Sequence, residues 1–397
     1  MFFHKNKLDK NLNYYLSNNC YKKYRVLIKY KNLNDNIVKK LSSRTCEFLY
    51  TLSYSKILCA KLDSHTIDRI LEYPEIEYIC LDEYLFLCGM SVSTANNIHL
   101  SEKYSLLGTG IGIGIIDSGV YPHQDLQTPS NRIELFTDLI NHLAYPYDDN
   151  GHGTCIAGLI SGSGSSSNSL YTGIAPHSKL HCYKAFDKLG KGYASDILFA
   201  LESLIDSSDK YNIKILALPF ELLTHNIFIS KAFDNTFCKA ISMGIAPIVP
   251  SGSNLNSTGS IMGIATLSSC ITVAGVDSSK TISPYTYSSA GPYSKTQKPN
   301  LSAAAVNITS LNSDTSYISE KDGFKLYPDK LEATYKTFSG TSLSVAFIAG
   351  LCALLFENDP TLSFKDLCSI LKLSCELQDF SKFQQGEGLI NISNLLT

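Results

Sequence analysis

The chain has 397 residues, enough for one large domain or two moderate ones. Its 34 Lys and Arg stand against 36 Asp and Glu, a formal net charge of -2, so no excess of either sign argues for nucleic acid, an anionic membrane or an acidic substrate. The opening "MFFHKNKLDKNLNYYLSNN" contains no apolar run suited to a signal-peptide core, and no later run reaches about 18 uncharged apolar residues, so a cytoplasmic protein without a membrane span is expected.

Residues 1–22 are polar and weakly patterned and read as a loosely docked tail. A compact unit follows over residues 23–90. "YRVLIKY" (24–30) reads as a strand and "NDNIVKKLSS" (34–43) as a short helix opened by Asn34 or Asp35. "CEFLYTL" and "KILCAKL" read as two strands around a turn at Ser53 to Ser55. "SHTIDRILEY" (64–73) reads as a helix capped by Ser64, and "IEYICLDEYLFL" (76–87) as a closing strand, giving the order βαββαβ. Residues 91–97 are short in charge and rich in small polar side chains, which marks a linker open to cleavage. From residue 98 to 397 apolar strands alternate with helical stretches: 110–117, 179–186, 213–218, 246–250 and 270–276. Such strands belong in a mainly parallel sheet covered on both faces, so this part is α/β. The 12 cysteines are scattered without a CxxC pair, several inside apolar runs such as "GLCALLF", and read as reduced, packed thiols.

Three residues carry a chemical signal. Asp117 ends an apolar strand before a Ser-Gly turn, the place where open α/β sheets put functional groups. His152 lies between two glycines in "NGHGTCIAG", just ahead of a small-residue helix, where it is available as a base. Ser342 lies in "SGTSLSVAFIAG" at a helix start; alone it is an ordinary capping hydroxyl. A serine hydroxyl is a weak nucleophile unless a base takes its proton and an acid orients that base, so the three matter together. Their chain order, Asp then His then Ser, is the subtilisin order.

"IIDSGV", "NGHGTCIAG" and "SGTSLSVAFIAG" resemble the three signature segments of subtilisin-like serine proteases, and the resemblance covers roughly residues 98 to 397. The βαββαβ unit resembles the family's propeptide, which in relatives assists folding and occupies the active-site cleft until cut. The resemblance implies a three-layer subtilisin-like fold and a peptidase in which Ser342 attacks, His152 moves the proton and Asp117 orients the imidazole. It places an oxyanion-binding side chain in "APIVPSGSNL"; alignment from Pro247 gives Asn254 and alignment from Gly244 gives Ser253, with Asn254 preferred because an amide reaches farther. It implies an extended polypeptide substrate paired to two cleft edges, Gly190 to Gly192 and Pro219 to Glu221, with Ser251 and Gly252 near the first specificity pocket. The chain's own propeptide is the second expected partner.

The chain also departs from the family pattern. Pro219, Phe220 and Glu221 replace the usual Ser-Leu-Gly, so a backbone donor is lost, Phe220 is expected to fill a subsite, and Glu221 reads as a solvated rim charge unless it selects a basic substrate residue. Ala346 stands where relatives carry proline, Cys155 where they often carry histidine, and residues 312–335 form an extra polar loop. Asp125 matches a residue that ligates calcium in many relatives. One carboxylate cannot supply about 6–8 oxygens, and "SGSSSNSLYTG" adds only Asn168, serines and carbonyls, so at most a weak calcium site is expected and no cofactor is required. These departures leave a second reading open, a catalytically impaired relative acting as a regulatory binding partner. An α/β-hydrolase esterase fails on chain order and on the missing G-x-S-x-G elbow.

Overall fold

A computed structural model describes residues 7–31, 46–87, 106–279, 281–291 and 297–391. The expected helix at 34–43 and the linker at 91–97 lie outside them. The chain's first described element corrects the expected tail. Helix α1 (Lys10–Ser17) is capped by the Asp9 carboxylate, which accepts from the N–H groups of Asn11 and Leu12. Leu12 is fully buried, Tyr15 and Leu16 pack beside it, and Asp9 N–H bonds Ile79 O at 2.9 Å. Two leucines four apart in an octet with three Lys or Asn are a short helical period, easily passed over.

Strands β1 (Tyr24–Tyr30), β2 (Glu47–Leu52), β3 (Ile57–Leu62) and β4 (Ile76–Leu81) form an antiparallel sheet in the order β2-β3-β1-β4. Helix α2 (Ser64–Leu71) is capped by Asp63, whose side chain accepts from Thr66 N, one residue earlier than the expected cap. Side-chain alternation gives the sheet two apolar faces. Val26, Ile28, Ala60 and Ile79 pack with Leu12 of α1 and with Ile67 and Ile70 of α2. Leu27, Ile57, Cys59 and Cys80 face the other way, into the larger unit.

The expected closing strand at 76–87 is two strands. The pairing of β4 stops at Leu81; Asp82 turns inward to Arg25, and β5 (Tyr84–Leu87) leaves the sheet altogether. The break falls at the adjacent acidic residues Asp82 and Glu83, and Asp82 is held by Arg25 at 2.7 Å and by Ser195 N at 3.0 Å.

The larger unit is built on β6 (Gly112–Asp117), β7 (Ile133–Asp138), β8 (Lys179–Lys184), β10 (Ile213–Ala217), β12 (Ala246–Pro250) and β13 (Ile271–Asp277). These run parallel in the order β7-β8-β6-β10-β12-β13, continue in parallel through Leu301–Ala304 and Leu389–Ile390, and end at an antiparallel edge, Cys375–Glu376. One face is covered by α3 (His152–Ser161) and α6 (Thr341–Asn358), the other by α4 (Ala194–Asp206) and α5 (Ile227–Ser242). This is the expected three-layer α/β arrangement. Helix α6 has the length and hydropathy of a membrane-crossing helix, yet 89% of that stretch is buried inside the protein, because it runs through the centre of one layer.

The N-terminal sheet docks on α4 and α5 through polar as well as apolar contacts. Arg25 reaches Asp82 at 2.7 Å and Asp196 of α4 at 2.5 Å, with its guanidinium 4.1 Å above the Tyr193 ring. Glu202 of α4 accepts from Ser53 N at 2.9 Å and Tyr54 N at 3.3 Å. Tyr50 stacks on Phe199 with centroids 4.4 Å apart.

Candidate active site

The sheet changes direction at β6. From it the chain builds β7 and β8 on one side, then crosses to β10 on the other. Crevices in open α/β sheets form at the carboxyl end of such a strand, and the last residue of β6 is Asp117. Its carboxylate accepts from Ser118 N at 2.6 Å and lies 2.8 and 2.9 Å from Nδ1 of His152, so it fixes Nδ1 as the protonated ring nitrogen and leaves Nε2 as the basic one. Gly153 is required beside it. A Cβ there would lie 2.0 Å from Gly119 O and 3.1 Å from the Asp117 Cβ.

His152 is the first residue of α3, and a carboxylate missed in the sequence holds its loop. Asp148, fully buried, accepts from Ser118 Oγ, Asn150 N, Gly151 N, Thr154 N and Thr154 Oγ1 at 2.6–3.2 Å. Its signal was present in "DDNGHGT": an Asx residue four positions before the histidine, followed by small residues whose N–H groups turn back on it.

Ser342 occupies the first turn of α6, which packs against α3. Its hydroxyl is buried and has no hydrogen-bond partner among the described residues. The preceding Thr341 donates its hydroxyl to Gly252 O at 3.3 Å, which ties the serine turn to residues 251–254. Ser251 is buried against Ser288, and Gly252 holds a left-handed φ of 109°. Leu343, Ala346 and Ile348 are buried in the core, so the missing proline leaves α6 intact. Cys155, on α3, is a packed thiol whose pKa burial pushes up.

A separate three-stranded antiparallel sheet has the order β11-β5-β9, where β9 is Lys191–Tyr193 and β11 is Phe220–Glu221. Leu85 pairs with Gly192, Phe86 with both Lys191 and Glu221, and Leu87 with Phe220. The two edges expected to bind an extended peptide thus hold one of the chain's own. Gly190 forms the turn into β9 at a φ of 73°, and a Cβ on Gly192 would lie 2.5 Å from Ala185 O.

Two expectations at the second edge are corrected. Phe220 fills no subsite: it is fully buried and packs on Phe186 at 5.3 Å. Glu221 is no rim charge: it is 5% exposed and its carboxylate accepts from Ser253 N at 3.0 Å, from the Ser253 hydroxyl and from Asn254 Nδ2 at 3.4 Å. Ser253 is therefore committed to Glu221, while Asn254 keeps an amide N–H to offer.

At Asp125 the carboxylate accepts from Ser166 N at 2.9 Å and from the Tyr335 hydroxyl, so each of its oxygens already holds one donor. Among the described residues no group of three His, Cys, Asp or Glu side chains is set to hold a metal. The extra segment carries a small hairpin, Glu320–Lys321 with Phe324–Lys325, and packs beside the His152 loop: Glu320 accepts from Ala144 N, and Tyr317 meets Tyr121 edge to face.

The sequence profile of the subtilase family matches residues 108–388. Serine protease AprX of Bacillus subtilis is 32% identical over 303 residues, 73% of this chain and 67% of that one. Subtilisin DY of Bacillus licheniformis is 27% identical over 290 residues, 72% of this chain and 90% of that one. Among solved structures, fervidolysin from Fervidobacterium pennivorans, a keratinolytic enzyme related to subtilisin, superposes with a TM-score of 0.71 at 17% identity, covering 95% of this chain and 61% of that one. By profile, relatives and fold together, the chain belongs to the subtilase family and is a subtilisin-like serine peptidase.

Proposed function

We propose that the protein is an endopeptidase of the Asp-His-Ser type, made with its propeptide in residues 23–90 extended by α1, and that Asp117, His152 and Ser342 are its catalytic residues. The observation that carries this reading is the Asp117 carboxylate bonded to Nδ1 of His152, with an unpaired, buried serine hydroxyl at the start of the helix packed on α3. In the reaction Ser342 Oγ attacks the peptide carbonyl while His152 Nε2 takes its proton, and Asp117 stabilises the imidazolium. The tetrahedral oxyanion takes N–H groups from Asn254 and the Ser342 backbone. Collapse breaks the C–N bond, His152 returns the proton to the leaving amine, and water then hydrolyses the acyl-enzyme by the same route.

The substrate lies where β5 lies now, its backbone paired to β9 and β11. β5 is thus a substrate-like strand supplied in cis, which keeps the enzyme inhibited until the chain is cut beyond Leu87, and limited processing of one precursor suits a cleft so closed. The 11 cysteines among the described residues are all free, which suits the reducing cytoplasm.

The test is to express the full chain and Ser342→Ala and to follow self-cleavage by intact mass and active-site labelling with a fluorophosphonate. Wild type is expected to lose its N-terminal unit and take the label, whereas Ser342→Ala stays full length and unlabelled, with turnover down by roughly 10⁶. An unlabelled wild type that stays full length would sink the proposal and favour the regulatory reading.

A further inference from the structure

We infer that Glu221 is a positioning residue for catalysis: its carboxylate sets which end of the Asn254 side-chain amide faces the scissile carbonyl. This deepens the reading above and rests on Asn254 as an oxyanion donor.

Asn254 ends the turn at 251–254. Its backbone is held at each step: Ser251 N bonds Val273 O at 2.8 Å, Gly252 O accepts from Thr341 Oγ1 at 3.3 Å, and Asn254 N donates to Ser289 Oγ at 2.9 Å. What the backbone leaves undecided is the last torsion of Asn254. That torsion is broad and two-fold, so with no partner the oxygen and the nitrogen of the amide exchange places freely. The two arrangements are chemically opposite. With Nδ2 toward the substrate the amide donates to the oxyanion; with Oδ1 there it repels it.

An ionised carboxylate can only accept, so it binds the NH2 end of the amide and never the oxygen end. Glu221 Oε2 stands 3.4 Å from Asn254 Nδ2, which engages one amide proton and leaves the other for the oxyanion. The carboxylate is itself fixed by Ser253 N at 3.0 Å and by the Ser253 hydroxyl. Gly252 lets it close on the turn, since a Cβ at that position would lie 2.6 Å from Glu221 Oε2. The alternation of β11 aims it there: Phe220 points into the core, and Glu221 therefore points out of it, over the turn. A negative charge near a developing oxyanion opposes it. The inference therefore requires that orientation outweigh repulsion, and the charge-neutral variant separates the two.

The experiment uses the full chain in four variants, Glu221→Gln, Glu221→Ala, Asn254→Ala and the double Glu221→Ala with Asn254→Ala. Two rates are read: self-cleavage by intact mass, and kcat and KM on a fluorogenic peptide. Asn254→Ala is expected to lower kcat by about 10²–10³. Glu221→Ala is expected to lower kcat by roughly tenfold at unchanged KM, and to add nothing further in the Asn254→Ala background, because a residue acting through Asn254 has no effect once the amide is gone. Glu221→Gln, which presents either end of its own amide, is expected to fall by a few fold with its thermal midpoint unchanged, so a folding defect in the alanine variant does not decide the matter. Additive losses, a higher kcat in Glu221→Gln, or a change confined to KM would each overturn the inference. A neutral Asn254→Ala would instead overturn the oxyanion assignment on which it rests.

Discussion

The two walls of the cleft hold their chemistry by different means. The wall that carries Asp117 and His152, the relay wall of the proposed mechanism, is closed within itself. Asp117, Asp148 and His152 lie within 36 residues of one another in the sequence, and Asp148 binds five donors drawn from residues 118–154. The wall proposed to hold substrate is assembled from distant pieces: β9, β11 and the 251–254 turn come from three segments, and β5 from a fourth completes the pairing. The first wall is therefore rigid by local bonding, while the second depends on the docking of the N-terminal unit.

Asp148→Ala tests the first half of that contrast and carries the largest expected effect. It leaves five donors without their acceptor, and each buried orphan costs about 1–3 kcal/mol unless water reaches it. A fall of roughly 10 °C in the thermal midpoint, with loss of turnover, is expected by calorimetry. A shift under about 3 °C would mean that the relay wall does not rest on Asp148.

Arg25→Ala tests the second half. Removing the guanidinium leaves Asp82 and Asp196 buried beside each other without their cation, a cost of about 2–5 kcal/mol to docking. In the Ser342→Ala background, hydrogen exchange at β5 and β9 should accelerate by at least tenfold while β6 and α3 stay protected. Equal acceleration in both regions would erase the distinction between the walls.

The smallest effect is one of pH. Burial pushes the Glu202 carboxyl up from 4.5 to about 7, against the pull of its two N–H bonds. The docked form thus keeps a proton that the released form gives up. Its contribution to docking is fully present below pH 4.5 and is lost as pH rises through 7. Exchange at β5 should therefore quicken between pH 5 and 8, and Glu202→Gln should flatten that dependence; a profile unchanged by the substitution would assign the pH effect elsewhere.

Much of the relay wall was legible in advance. Asp117, His152 and Ser342 each sit at the edge of an apolar element beside glycine or a small residue, and the order of the three is a pattern along the chain. The segments Gly190 to Gly192 and Pro219 to Glu221, singled out by resemblance, both include residues that pair with β5. Other features were not readable. α1 hides because its apolar period is only two leucines long, and the break between β4 and β5 because the partners that hold Asp82, Arg25 and Ser195, lie more than 50 residues away. Phe220 and Glu221 were placed at the cleft surface by resemblance, and only the packing shows that both are buried.

The α/β architecture, most of the strands and the positions of Asp117 at a strand end and of His152 and Ser342 at helix starts could be read along the chain, because they follow from periodicity and element ends that act over a few residues. Tertiary structure alone decided that β5 lies between β9 and β11, that Asp125 is tied by Tyr335 and Ser166, and that Glu221 closes on Ser253 and Asn254. In each case the partner lies 30 or more residues away, and a buried polar group takes whichever donor the packing brings within reach.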